Sequence, residues 1–316
     1  MTTTAMHRLT LPRLLAQDAV QGPPPVGVDL HALLTEAGSA DLAERLREPA
    51  ARVLVISGDG DPTCHNNETV LRRAPLLVEE GLRHVEAALR QAPFAPPLAV
   101  AAETLAQIAL IARYGAAWFR AVGTPAAPGS VLCTVHTGTG LPQVVETAVG
   151  TPVRTLLGAD HARTAQAVLL GGVSGVWVPG PRALDTRWEP RGEGARVIAA
   201  LPYGRCGVAV SARMPRLAAS RCRGGEAEAL RIASALDDLS VPGAFDAVVR
   251  WSTQATERAD DPATHAAARL LLSALAVFPR EFEAHAAGRC TAQPWEAEPC
   301  GAERGAAEPM TGIEPA

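Results

Sequence analysis

The stretch Glu103-Thr104-Leu105-Ala106-Gln107-Ile108-Ala109-Leu110-Ile111-Ala112-Arg113-Tyr114-Gly115 decides how the chain is read. Its apolar residues recur at the spacing of an amphipathic helix, and Gly115 interrupts the run before Ala116-Ala117-Trp118-Phe119. A Pro- and Gly-rich connector over residues 123–129 then breaks the helical pattern. Beyond it come a β-rich run (Val131-Leu132-Cys133-Thr134-Val135), a Gly-rich turn, and a second run (Gln143-Val144-Val145-Glu146). Thr151-Pro152 opens a short helix.

Toward the N-terminus, Arg52-Val53-Leu54-Val55-Ile56-Ser57 is a continuous apolar run, which predicts a strand buried on both faces of a parallel sheet. It ends in Gly58-Asp59-Gly60-Asp61-Pro62, a turn at the strand's C-terminal end, where open α/β sheets place their ligands. Asp29 caps a helix over residues 30–37 that Gly38 stops, and further helices are predicted from about Ser39 and from Leu76 to about Arg90. Residues 1–28, with the breaker Gly22-Pro23-Pro24-Pro25, read as a loose leader. Toward the C-terminus, residues 166–170 predict a returning strand. Helical spacing recurs over 227–239, 245–251 and 266–278. Residues 291–316, rich in Pro, Glu, Gly and Ala, read as a disordered tail.

With 316 residues, 47% of them hydrophobic, and a mean hydropathy of +0.08, the chain can bury cores for two or three domains. No apolar run reaches the ~20 residues that span a bilayer, and the N-terminus lacks the pattern of a signal peptide. A cytoplasmic protein without direct membrane insertion is expected. The sequence contains no lysine, which removes the P-loop and Schiff-base chemistries together. The net charge of -4 comes from the tail, and the body holds 28 acidic and 28 basic residues. No basic excess points to nucleic acid. The six cysteines, Cys64, Cys133, Cys206, Cys222, Cys290 and Cys300, form no C-x-x-C pair, so buried free thiols are the default reading.

The order of these segments resembles the NADH-binding flavoprotein subunit family of respiratory complex I, most specifically over residues 103–178 and 266–290. The resemblance implies an α+β protein: a trimmed Rossmann-like α/β domain over 29–122, a β-grasp (soluble-ligand-binding) domain over 129–200 and a C-terminal helical bundle over 201–290. It also implies electron transfer from NADH through FMN to a 4Fe-4S cluster, and a partner that is another electron-transfer or ferredoxin-like subunit. By position, Asp59 and Asp61 inherit the cofactor-facing turn, Thr104 the flavin phosphate contact and Cys222 a cluster ligand.

The sequence departs from that pattern where the chemistry sits. The family's glycine-rich phosphate loop before the first strand is replaced by Ala37-Gly38-Ser39-Ala40, and its flavin-contacting Asn pair by Val100 and Ala101. Cys222 stands alone between Arg221 and Arg223. A tetranuclear cluster needs four thiolates. Each hydrogen bond to a phosphate that is lost costs about 1.5–3 kcal/mol. Several together weaken binding by roughly a thousandfold. Asp59 and Asp61 read equally as acids of a capped turn that bond local backbone N–H groups. Gly138-Thr139-Gly140 and Gly172-Val173-Ser174-Gly175 read as tight turns, since neither has the spacing of a dinucleotide loop or a nucleophile elbow. Three readings stand: an active oxidoreductase of the family's kind, a cofactor-poor scaffold with no bound flavin or cluster, and a truncated gene product.

Overall fold

The computed structural model describes residues 11–189, 196–219, 233–237, 239–258, 262–290 and 292. The chain divides into two compact units, Met1–Tyr203 and Gly204–Ala316.

The first unit begins with α1 (Leu30–Ala37). Asp29 caps it by accepting from the N–H of Ala32, and Gly38 ends it in the left-handed conformation. After α2 (Ala40–Arg47) comes β1 (Val53–Ile56), followed by α3 (Asn66–Arg73) and α4 (Pro75–Ala88). β2 (Leu98–Ala101) pairs with β1 in parallel register, Val53 opposite Leu98, and leads directly into α5 (Ala102–Tyr114) and the single turn α6 (Ala116–Phe119).

The helix read from sequence as amphipathic is buried on almost every side. Leu105, Ala106, Ile108, Ala109, Leu110 and Ile111 are all within the core, because α1, α3, α4 and α6 surround α5. The α4–α5 crossing is close enough that a Cβ on Gly81 would collide with the backbone carbonyl of Leu105. That contact is the physical reason for glycine at position 81.

The expectation for β1 does not hold. Leu54 and Ile56 are 47% and 40% exposed, because the sheet consists of β1 and β2 alone and helices cover one face. A continuous apolar run does not distinguish a strand covered twice from one covered once.

Residues 13–15, read as part of a loose leader, enter the core. Leu14 and Leu15 are buried, and the Arg13 guanidinium lies 3.4 Å from the ring centroid of Trp118 and donates to its carbonyl. The anchor is Glu146. One carboxylate oxygen accepts from the backbone N–H groups of Arg13, Leu14 and Leu15 at 2.5, 2.7 and 3.3 Å, while the other takes the hydroxyl of Ser130 at 2.5 Å. Successive N–H groups converging on one anion form a nest. Arg113 secures the following turn: it donates to the carbonyls of Gln21, Gly22 and Pro23 and pairs with buried Glu80 through two bonds of 2.7 and 2.6 Å.

The rest of the unit is a five-stranded mixed sheet. β3 (Ser130–His136) and β4 (Gln143–Ala148) form an antiparallel hairpin. The short helices α7 (Val153–Leu157) and α8 (Ala159–Thr164) lead to β5 (Ala165–Leu170). Then follow β6 (Val176–Pro179), α9 (Gly180–Asp185) and β7 (Val197–Pro202). The strand order is β4-β3-β7-β5-β6, and β3 and β7 are its parallel pair. Cys133, Val135, Val153, Leu157, Val168, Trp188 and Ile198 make its core.

The second unit is helical among its described residues. α10 (Gly207–Ala219), α11 (Ala244–Arg258), α12 (Pro262–Val277) and α13 (Pro279–Ala286) bury Val208, Val248, Leu270, Leu271, Phe278 and Phe282. Among the described residues no helix is long and apolar enough to cross a membrane.

Candidate functional site

The C-terminal ends of β1 and β2 lie side by side, so the turn after β1 and the start of α5 form one locality. This is where the sequence places its cofactor-facing residues. Asp59 is half-buried, and both its oxygens accept from the backbone N–H of Asn67, at 3.1 and 3.0 Å. Asn67 is the second residue of α3, whose preceding residue His65 provides no side-chain cap. Asp59 therefore supplies, from the preceding turn, the acceptor that an N-cap side chain would give. The side chain of Asn67 spans the gap: its amide nitrogen donates to Gly58 O at 3.2 Å, and its oxygen accepts from Glu103 N at 3.0 Å.

Helix N-termini at strand ends are ready-made anion sites. Here Asp59 answers α3 and Asn67 answers α5. A further negative charge lies just behind them. Glu103 is 1% exposed; its Oε1 accepts from Leu132 N and from Arg196 Nη1, both at 2.9 Å, and Arg196 Nη2 stands 2.8 Å from Oε2. Burial pushes the Glu103 carboxyl above its ordinary pKa against the opposing pull of Arg196 and the Leu132 N–H. Burial raises Asp59 as well, against the Asn67 N–H.

Asp61 faces elsewhere. Its Oδ1 accepts from Thr63 N at 2.8 Å and Thr63 Oγ1 at 2.5 Å, and its Oδ2 accepts from Val173 N at 2.9 Å. It fastens the turn to the β5–β6 connection. Thr104 is the third residue of α5 and half-buried. The structure thus links Asp59 to the start of α5, beside Thr104, through Asn67, and points Asp61 away from both. Cys222 lies outside the described residues.

β3 clamps the same turn from below. Thr134 accepts from His65 N at 2.9 Å and donates to Asn66 Oδ1 at 2.9 Å, while Asn66 donates to Leu132 O at 3.0 Å. Cys64 and Cys133 are buried beside it. Burial pushes the Cys64 thiol up to about 11 and raises Cys133 too, so both stay protonated near neutrality.

Tested against these residues, a flavin phosphate does not fit. The N–H of Asn67 at the start of α3 holds Asp59, the N–H of Glu103 at the start of α5 holds Asn67, and a phosphate at this corner would meet the Asp59 carboxylate. The arrangement binds backbone to backbone through side chains. Sequence reasoning missed Asn66, Asn67, Thr134 and the Glu103–Arg196 pair. An Asn-Asn doublet opening a helix was the available signal for the first two. No local pattern joins Glu103 to a partner 93 residues away.

No family model matches the chain. A stretch of 73 residues is 38% identical to the NAD-reducing hydrogenase HoxS subunit alpha of Cupriavidus necator, covering 23% of this chain and 12% of that subunit. Two crystal structures of NAD+-reducing [NiFe]-hydrogenase, H2-reduced and air-oxidised, each contain a chain of similar fold. The TM-scores are 0.65 and 0.66 at 18% identity, over 89% and 93% of this chain. The alignments take in 64% and 67% of the hydrogenase chain, so this protein spans about two-thirds of its structural relatives. The likeness is one of fold: a mixed α/β chain with a five-stranded mixed sheet, built like a hydrogenase subunit.

Proposed function

We propose that the chain is a non-catalytic, cofactor-poor scaffold on the frame of an NADH-dependent electron-transfer subunit, acting in the cytoplasm beside another electron-transfer or ferredoxin-like subunit. The observation that carries this reading is the use of the two inherited acids. Asp59 is committed to Asn67 N, and Asp61 to Val173 N and Thr63. The fold likeness to a hydrogenase chain and the 38% identical stretch support the ancestry. The sheet order β4-β3-β7-β5-β6, with its parallel central pair, supports the β-grasp assignment for residues 129–200. The parallel pair β1–β2 with α4 and α5 supports a Rossmann-like remnant over 29–122.

The test is the colour and turnover of the purified full chain. The expected preparation is colourless, releases no flavin on denaturation and does not reduce a dye with NADH. Stoichiometric flavin, or NADH-driven dye reduction lost on Asp59→Ala, supports the active electron-transfer reading with FMN and a 4Fe-4S cluster and overturns the scaffold.

A further inference from the structure

The start of α10 and the end of α13 bring three metal-ligating side chains of the second unit together. Cys206 immediately precedes α10; its sulfur accepts the N–H of Ala209 at 3.3 Å and lies 3.2 Å from His285 Nε2. Five residues after His285, the chain carries Cys290. The end of α13 turns it back: Gly288 takes a positive φ of 69°, and the N–H groups of Gly288 and Arg289 bond the carbonyls of His285 and Ala284 at 3.0 and 2.9 Å. The two sulfurs and the imidazole nitrogen all lie within 4.8 Å of one another.

The scaffold behind these atoms is fixed. Glu281 is one helical turn before His285 on α13, and its Oε2 accepts from Gly207 N at 2.5 Å, which ties the first residue of α10 to the same helix face. Gly207 also admits the ring of Phe278, 2.6 Å from where a Cβ would stand. A side chain at position 207 would therefore collide with the Phe278 ring.

We propose that Cys206, His285 and Cys290 form a binding site for one Zn2+ ion, leaving one position of the tetrahedron for a fourth donor. Tetrahedral zinc with bonds of about 2.3 Å to sulfur and 2.0 Å to nitrogen sets its ligands about 3.5–3.8 Å apart. The observed separations need shifts of well under an ångström per side chain to meet this. Two thiolates and a neutral imidazole balance the ion's charge, and soft sulfur donors exclude Ca2+ and Mg2+. Zinc has no redox chemistry and no colour. The site is accordingly independent of whether flavin is present, and its failure and that of the scaffold reading are distinguishable.

The experiment uses the full chain, purified under reducing conditions, stripped with a chelator and titrated with Zn2+ by calorimetry and with Co2+ by absorbance. One equivalent should bind, and cobalt should show thiolate charge-transfer and tetrahedral d–d bands. Cys290→Ser, at an exposed position, and His285→Ala should each raise Kd by at least about a hundredfold, beyond the ~10–100-fold cost of losing an outer partner. Circular dichroism reports whether each variant is folded. The assignment is overturned if no metal binds, or if binding survives unweakened in either Cys290→Ser or His285→Ala.

Discussion

Around the turn after β1, carboxylates, amides and helix N-termini are matched to one another, whereas beside α13 two sulfurs and an imidazole gather within 4.8 Å. The difference is one of donor chemistry. A carboxylate and a backbone N–H complete each other, so Asp59 takes up Asn67 N and Asp61 takes up Val173 N. Two thiols and a ring nitrogen within 4.8 Å have few protons to share and many lone pairs, which is the condition of a cation site. A structural knot is thus recognisable by which polar groups are each other's partners.

The largest expected effect breaks the knot at its buried charge. Glu103→Ala leaves Leu132 N and Arg196 without their acceptor and should cost about 3 kcal/mol in urea unfolding, at the lower end for a broken buried pair because Arg196 is partly exposed. A cost below that of an ordinary surface substitution would mean that the pair does not hold the turn. Glu146→Ala should cost about 2 kcal/mol, since three backbone donors lose a charged acceptor. Limited proteolysis should then cut near residue 13 first, and intact resistance there would refute the anchor.

Asp59→Ala sharpens the comparison. Loss of the acceptor at α3 should lower stability by about 1 kcal/mol and reopen the helix N-terminus. Inorganic phosphate should then raise the Tm of Asp59→Ala more than that of the parent; equal shifts would show that the carboxylate does not occupy an anion position. The smallest effect is on pH. Asp59, Glu103 and Glu146 are all raised by burial, so the folded state holds their protons more tightly than the unfolded chain. Their contribution to stability is greatest in acid and declines as pH rises from about 4 through their folded pKa values, then levels off. Glu103→Gln should flatten that decline, and an unchanged slope would assign it to other groups.

Much of the local structure was legible. Asp29 and Gly38 bracket α1 by cap chemistry alone, and β3–β4 follow from two β-rich runs around a glycine turn. The coverage of β1 was not, because exposure of Leu54 and Ile56 depends on how many strands join the sheet. At the turn, both roles of Asp59 were readable, and the choice between them lay in Asn67, whose amide acts only once α3 and α5 are adjacent. The Cys206–His285 contact joins positions 79 apart, and Cys290 reaches it only through the reversal at Gly288. A spacing rule built on clustered cysteines passes over such a set.

The nest around Glu146 carries one more consequence. Arg13, Leu14 and Leu15 belong to neither helix nor strand, yet their amides point at a carboxylate in the interior. In deuterated solvent these three should exchange slowly, alongside the amides of α5 rather than with the neighbouring loops, so a stretch without regular structure would report the opening of the whole first unit.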